Sequence, residues 1–180
     1  MIKVLRPERA EWYAIQRFGL LQKRRRYRGL SGFLQEIREQ FAVHAAEGRP
    51  SPHLQNIVGL VDTDRGFGVV IEALRGRDGG YAPTLASLVK EGRFDAAARR
   101  DLDIFFEWLL RSPLVVTDLT WGNLLYAHAE GADRFVLIDG VGESAALPLR
   151  SLFDAINRRS KRGRIRALLA KIAGWQPPAI

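Results

Sequence analysis

The stretch Asp118-Leu-Thr-Trp-Gly-Asn123, followed by the strand-like Phe135-Val-Leu-Ile-Asp139-Gly140, decides how this chain is read. An aspartate in such a loop is placed to accept or orient a hydroxyl proton. Asn123, five residues later, offers a neutral oxygen from the same loop, and Asp139, at a strand end beside flexible Gly140, offers an anionic one. Hard oxygen ligands on a loop and a strand end suit Mg²⁺. Phosphoryl transfer asks for an oriented hydroxyl, a divalent metal on the phosphates and cations that spread developing charge. Asp118 is therefore the candidate catalytic residue, with Asn123 and Asp139 as candidate metal ligands. Each alone reads as ordinary turn chemistry. Their order between apolar strands carries the assignment.

Upstream, residues 1–5 are short, apolar and partly β-branched, a strand that Arg6-Pro7 closes. Lys3 within it has apolar neighbours and can reach α- and β-phosphates if a helix carboxylate holds it. Residues 8–22 carry Trp12, Ile15, Phe18 and Leu21 at helical spacing. Ser31 caps a second helix to about residue 46, with Phe33, Leu34, Ile37 and Phe41 expected on its buried side. Glu36 and Glu39 both lie on it, and spacing does not choose between them as the partner of Lys3. Two strands, Asn56–Asp62 and Gly68–Ala73, form a hairpin across Thr63-Asp-Arg-Gly-Phe67. Backbone groups around Glu72–Leu74 are candidates to bond an adenine edge, and the Gly- and Arg-rich Leu74–Ala82 reads as a linker.

Downstream, Thr84 opens a short helix to about Lys90. A longer one runs from about Asp95 to Arg111, with Leu102, Phe105, Phe106, Leu109 and Leu110 as its stripe, and Pro113 stops it. Leu114–Thr117 is strand-like, and two further strands are expected at Leu124–Ala127 and Arg134–Asp139. A basic helical tail spans about Leu149–Ala173, and Gln176-Pro-Pro178 ends the fold. Strand, helices, hairpin, linker, helices, strand pair and helix in this order argue an α+β fold in two unequal lobes around a cleft.

At 180 residues and 47% hydrophobic the chain builds a real core in one or two small units. It lacks cysteine, which excludes disulfides and thiolate metal sites, and it has no apolar run of membrane-spanning length. The start lacks signal-peptide design, so a cytoplasmic protein is expected. The net charge of +8 sits largely in Lys23–Arg28 and Arg158–Arg166. Both read as solvated segments, or as contacts to an anionic surface. His44, His53 and His128 show no ligand spacing, and neither a nucleophile elbow nor a P-loop is present.

In its motifs the sequence resembles the YrbL-type, PhoP-regulon-associated proteins, small bacterial relatives of the protein-kinase fold. The matching pieces are Ile2-Lys3-Val4, Glu36-Ile37-Arg38, Val61–Val70 with Ile71-Glu72, Asp78-Gly79, Thr84-Leu85 and Val115–Thr117. Gly122–Leu125, Ile138–Ser144 and Pro148-Leu149 continue the series, over roughly residues 1–150. The resemblance implies one kinase-like domain over 1–180, with a small lobe at 1–74, a hinge at 75–82 and a large lobe at 83–180. It makes Lys3 the phosphate lysine, Glu36 its partner, Asp118 the catalytic-loop aspartate, and Asn123 with Asp139 the metal ligands, with ATP and Mg²⁺ as cofactors. The acceptor would be a protein or small molecule. The sequence departs from kinases in several places. It begins at the lysine strand, so a truncated small lobe without a glycine-rich loop is expected. Val116-Thr117-Asp118 stands where kinases have His-Arg-Asp, Thr120 replaces a common lysine, and the helical large lobe is reduced. Two activities are thus implied: phosphotransfer, or a pseudokinase that binds nucleotide or a partner without turnover.

Overall fold

The computed structural model describes residues 1–4, 31–142 and 149–176. The helix expected at 8–22, the cluster Lys23–Arg28, Glu143-Ser144 and Pro177-Pro178 lie outside them. The described chain is α+β, with helices packed around two small antiparallel sheets. Among the described residues no helix is long and apolar enough to cross a membrane.

The first sheet has three strands in the order β1-β3-β2: β1 (Ile2–Val4), β2 (Ile57–Thr63) and β3 (Gly66–Ile71). The hairpin is there, but its turn is only Asp64-Arg65, because Gly66 and Phe67 pair with Thr63 and Asp62. Thr63 holds that turn, its Oγ1 donating to Gly66 O at 2.7 Å and accepting from Arg65 N at 3.1 Å. β1 docks on the other edge of β3, with Lys3 opposite Val69. Gly68 permits this approach, since a Cβ there would sit 2.9 Å from Ile2 Cγ2.

Helix α1 (Ser31–Glu47) follows the expected span, but its faces do not. Leu34 and Phe41, expected inside, are exposed, Phe41 at 72%, whereas Val43 and Glu39 are buried. Helix α2 (Leu85–Lys90) is capped by Thr84, which accepts from Ser87 N at 3.0 Å. Helix α3 (Ala96–Arg111) is capped by Asp95, which accepts from Ala98 N at 2.8 Å. The stripe of α3 is buried as its periodicity requires, with Leu102, Phe105 and Leu109 fully inside.

The second sheet pairs β4 (Leu124–Ala129) with β5 (Ala132–Leu137) across a tight Glu130-Gly131 turn, both residues at positive φ. Leu124, Phe135 and Leu137 meet α3, and this contact is the centre of the main core. The segment His53–Gln55 adds to the β5 edge: Leu137 N donates to His53 O at 3.0 Å, and Gln55 N to Leu137 O at 2.9 Å. Leu114–Thr117 is not a strand. It makes one isolated bridge, Val116 with Val141. The basic tail is helical but broken, into α4 (Leu149–Leu152) and α5 (Asp154–Ala173), with Phe153 extended between them.

Candidate functional site

β1 holds Lys3 beside α1, with its ammonium 5.7 Å from the centre of the Phe33 ring. Lys3 Nζ lies 2.7 Å from Glu36 Oε1 and 3.8 Å from Asp139 Oδ2. Residues three apart on a helix share a face, yet Glu36 and Glu39 divide their work. Glu36 meets Lys3, whereas Glu39, 9% exposed, turns inward and accepts from Val115 N at 2.7 Å. Burial pushes the Glu36 carboxyl above its ordinary value, against the lowering pull of Lys3.

Residues 115–118 clasp residues 140–142. The Gly140 carbonyl accepts from Thr117 N at 2.6 Å and Asp118 N at 2.9 Å, and Gly142 N donates to Val115 O at 2.7 Å. The Thr117 hydroxyl donates to Gly142 O. Gly140 sits at φ +77, and a Cβ there would collide with the Asp118 carbonyl oxygen. Both features demand glycine. Asn123 closes the group from the other side. Its Nδ2 donates to Asp118 O at 3.2 Å and Asp118 Oδ2 at 3.4 Å, and its own carbonyl accepts from Ile138 N at 3.0 Å. Asp139 Oδ1 accepts from Gly140 N at 2.7 Å. Lys3, Glu36, Asp118, Asn123 and Asp139 thus form one linked network.

Spending the Asn123 amide nitrogen on Asp118 leaves the amide oxygen to face elsewhere. That oxygen and the Asp139 carboxylate are hard donors of the kind Mg²⁺ takes. Among the described residues no group of three or more His, Asp or Glu side chains could hold a metal ion. Asn123 and Asp139 offer two such donors, fewer than an all-protein cage needs.

The sequence profile of the PhoP regulatory network protein YrbL family matches residues 1–173, from the Lys3 strand to the end of α5. The chain belongs to this family. No curated protein matches it.

In this YrbL-family chain the other two expected binding residues lie apart from the network. Glu72 N donates to Asn56 O, and its carbonyl accepts from Gln55 Nε2, each at 2.9 Å. Leu74 O accepts from Ala82 N at 3.1 Å. Both residues line a cleft of about 540 Å³ with Arg49, Arg75, His128 and Arg134, which does not include Lys3, Asp118, Asn123 or Asp139. Of the histidines, His128 pairs with Asp133 at 2.6 Å. His53 packs on Phe105 and Trp108, and burial lowers its pKa.

A polar layer behind the Asp118 loop was not expected from the sequence. Lys161, within the basic run read as solvated, is 2% exposed. Its ammonium donates to Leu109 O at 2.8 Å and Ser112 O at 2.7 Å, at the C-terminal end of α3. Asn157 donates to Pro113 O at 3.2 Å and Leu114 O at 3.1 Å. Lys161 thus caps the C-terminal end of α3, sharing Leu109 O with the Ser112 hydroxyl, and Asn157 holds the two carbonyls that follow the helix. Burial lowers the Lys161 pKa to about 8, with Glu39 pulling the other way. The only signal in sequence was a helix end at Pro113 that needed cationic donors from elsewhere.

Proposed function

We propose that this YrbL-family chain is a kinase-like protein that binds Mg-ATP at the Lys3–Asp139 network and transfers a phosphoryl group to a hydroxyl acceptor. The observation that carries the reading is the ion pair of Lys3 with Glu36 at 2.7 Å, with Asp139 Oδ2 only 3.8 Å from the same ammonium. A lysine held by one carboxylate beside a second, exposed carboxylate is suited to phosphates that arrive with a cation. Under this reading residues 1–74 are a small lobe, 75–82 a hinge and 83–180 a large lobe. Asn123 and Asp139 hold Mg²⁺, which supplies charge neutralisation on the phosphates when bound. Lys3 contacts the phosphates, and Glu36 fixes Lys3. The Asp118 carboxylate takes the acceptor's hydroxyl proton while the acceptor oxygen bonds to the terminal phosphorus. The bond from that phosphorus to the β–γ bridging oxygen breaks, and ADP leaves with the electron pair.

The test is thermal unfolding with Mg-ATP on wild type, Asp139→Ala and Asp118→Asn. A ligand at one hundred times its dissociation constant adds about 2.7 kcal/mol, roughly 5–10 °C for a chain of this size. Wild type is expected to shift, Asp139→Ala is expected to lose the shift, and Asp118→Asn is expected to keep it while losing turnover. No shift in wild type would refute nucleotide binding. A shift without turnover on any acceptor would leave the alternative, a pseudokinase that binds nucleotide without catalysis. The exposed Arg158, Arg159, Arg162 and Arg166 of α5 are proposed as an anionic-surface contact, which predicts binding to anionic vesicles that fails at high salt.

A further inference from the structure

The solvent face of α5 has no duty in the reaction outlined above. Asp154 is the one acidic residue of that helix, against seven basic ones. Asn157, Lys161, Ile165 and Leu168 are its buried residues, and their spacing puts them on one side. Ile156, Arg159, Arg162 and Arg166 are exposed and follow one another at steps of three, three and four, so they form a line on the other side. Arg159, Arg162 and Arg166 line an open groove of about 610 Å³ with Leu110 and Ile165, and no acidic residue lines it. None of the three arginines has an ion-pair or hydrogen-bond partner among the described residues. The apolar residues at the head of the same helix are equally unspent: Leu152 is 67% exposed, Phe153 53% and Ile156 42%. Exposed apolar residues scattered singly are ordinary, whereas a group of them beside a charged stripe marks an interaction surface.

From this pairing we infer that the head and solvent face of α5 dock on a lipid bilayer that carries anionic headgroups. The inference rests on the anionic-surface contact proposed for α5 and names its partner. The arginines take headgroup phosphates, since a guanidinium group binds phosphate through two parallel hydrogen bonds. Leu152, Phe153 and Ile156 enter the boundary between headgroups and acyl chains, where apolar side chains leave water. Neither half suffices alone: salt screens a basic patch, and three apolar side chains are too few for stable insertion. The apolar residues also separate a bilayer from nucleic acid. A phosphate backbone would meet the arginines equally well, but it offers the aliphatic Leu152 and Ile156 nothing. Ile165 and Leu168, on the far side of α5, belong to the main core, so docking leaves the helix in place.

The test is co-sedimentation with vesicles of phosphatidylglycerol and phosphatidylcholine in equal parts, against phosphatidylcholine alone, with no nucleotide present. The protein should bind the first and not the second. An arginine near an anionic surface is worth roughly fivefold in affinity, so Arg159→Gln, Arg162→Gln and Arg166→Gln combined should weaken binding about a hundredfold. Leu152→Ser with Phe153→Ser leaves every charge in place and should weaken it about tenfold or more. Arg65→Gln, in the β2–β3 turn, should leave it unchanged. All these side chains are exposed, so the variants should melt with wild type. As the chain has no cysteine, Phe153→Cys accepts a single polarity-sensitive dye, whose emission should rise on anionic vesicles. Absence of binding to anionic vesicles overturns this inference and the anionic-surface contact together. Binding that Leu152→Ser with Phe153→Ser leaves unchanged, or a dye whose emission does not rise, overturns the bilayer and leaves the electrostatic contact standing. Duplex DNA bound more tightly than the vesicles at equal phosphate concentration does the same.

Discussion

Gly140→Ala is the sharpest perturbation of the proposed site, because the molecule contains its own control. Gly140 and Gly79 have nearly the same φ, +77 and +78, but a Cβ at Gly79 meets nothing within 4 Å. Alanine at Gly79 therefore costs only the left-handed conformation, about 1–2 kcal/mol. At Gly140 the new methyl group strikes the Asp118 carbonyl oxygen, and Asp118 C and Cβ are each only 3.0 Å away. The two segments must separate, which weakens the bonds from Thr117 N and Asp118 N to Gly140 O. Each is worth about 0.5–1.5 kcal/mol net, so the total rises to roughly 2–5 kcal/mol. For a chain of this length that is a fall in melting temperature of roughly 10 °C for Gly140→Ala, against roughly 4 °C for Gly79→Ala. Circular dichroism melts of both variants at one pH and protein concentration measure the difference. Equal falls would refute the close approach of Gly140 to Asp118, and with it the geometry assigned to the loop.

Three further expectations follow from the packing. Glu39→Ala strands the buried Val115 N–H and should lose about 2–3 kcal/mol in urea unfolding; Glu39→Gln keeps an acceptor and should lose less, and a loss below about 0.5 kcal/mol for Glu39→Ala would contradict the bond. Lys161 has a folded pKa near 8 against 10.5 in the unfolded chain, so the unfolded state holds more protons between those values, and stability from this group rises with pH across that window. Lys161→Met should lack that rise, and pH-resolved melts in which both proteins have the same slope would refute it. Phe105→Ala should cost about 3–5 kcal/mol, whereas Phe41→Ser, at an exposed position, should stay within about 0.5 kcal/mol by the same denaturant assay.

Local chemistry was legible and tertiary choice was not. Thr84 and Asp95 announce their helices because a cap is a bond between near neighbours. The α3 stripe is equally direct, since one face of that helix holds nearly all its large apolar residues. Helix α1 has apolar residues on more than one face, so periodicity could not tell that Val43 goes inside and Phe41 outside. Glu39 and Lys161 defeated the rule that charges are solvated, because their partners are backbone groups up to 76 residues away. The β-branched run before Asp118 read as a strand, but its partner segment offers just Val141 between two glycines. At the site, residue types and order were readable, while the Gly140 carbonyl that joins the Asp118 loop to Asp139 leaves no mark in sequence beyond a glycine.

Among the described residues β1 is an edge strand, paired with β3 alone. It is three residues long and is joined to β3 across about seventy positions of chain. So short an element, with a large loop to close, belongs to the part of a protein that opens first and folds last. Yet it carries Lys3. The lysine can therefore leave Glu36 and Asp139 by peeling of one short strand, with the α3 core intact. Under the proposed nucleotide reading, amide hydrogen exchange at Ile2–Val4 should slow when Mg-ATP is added, and unchanged exchange would count against that reading.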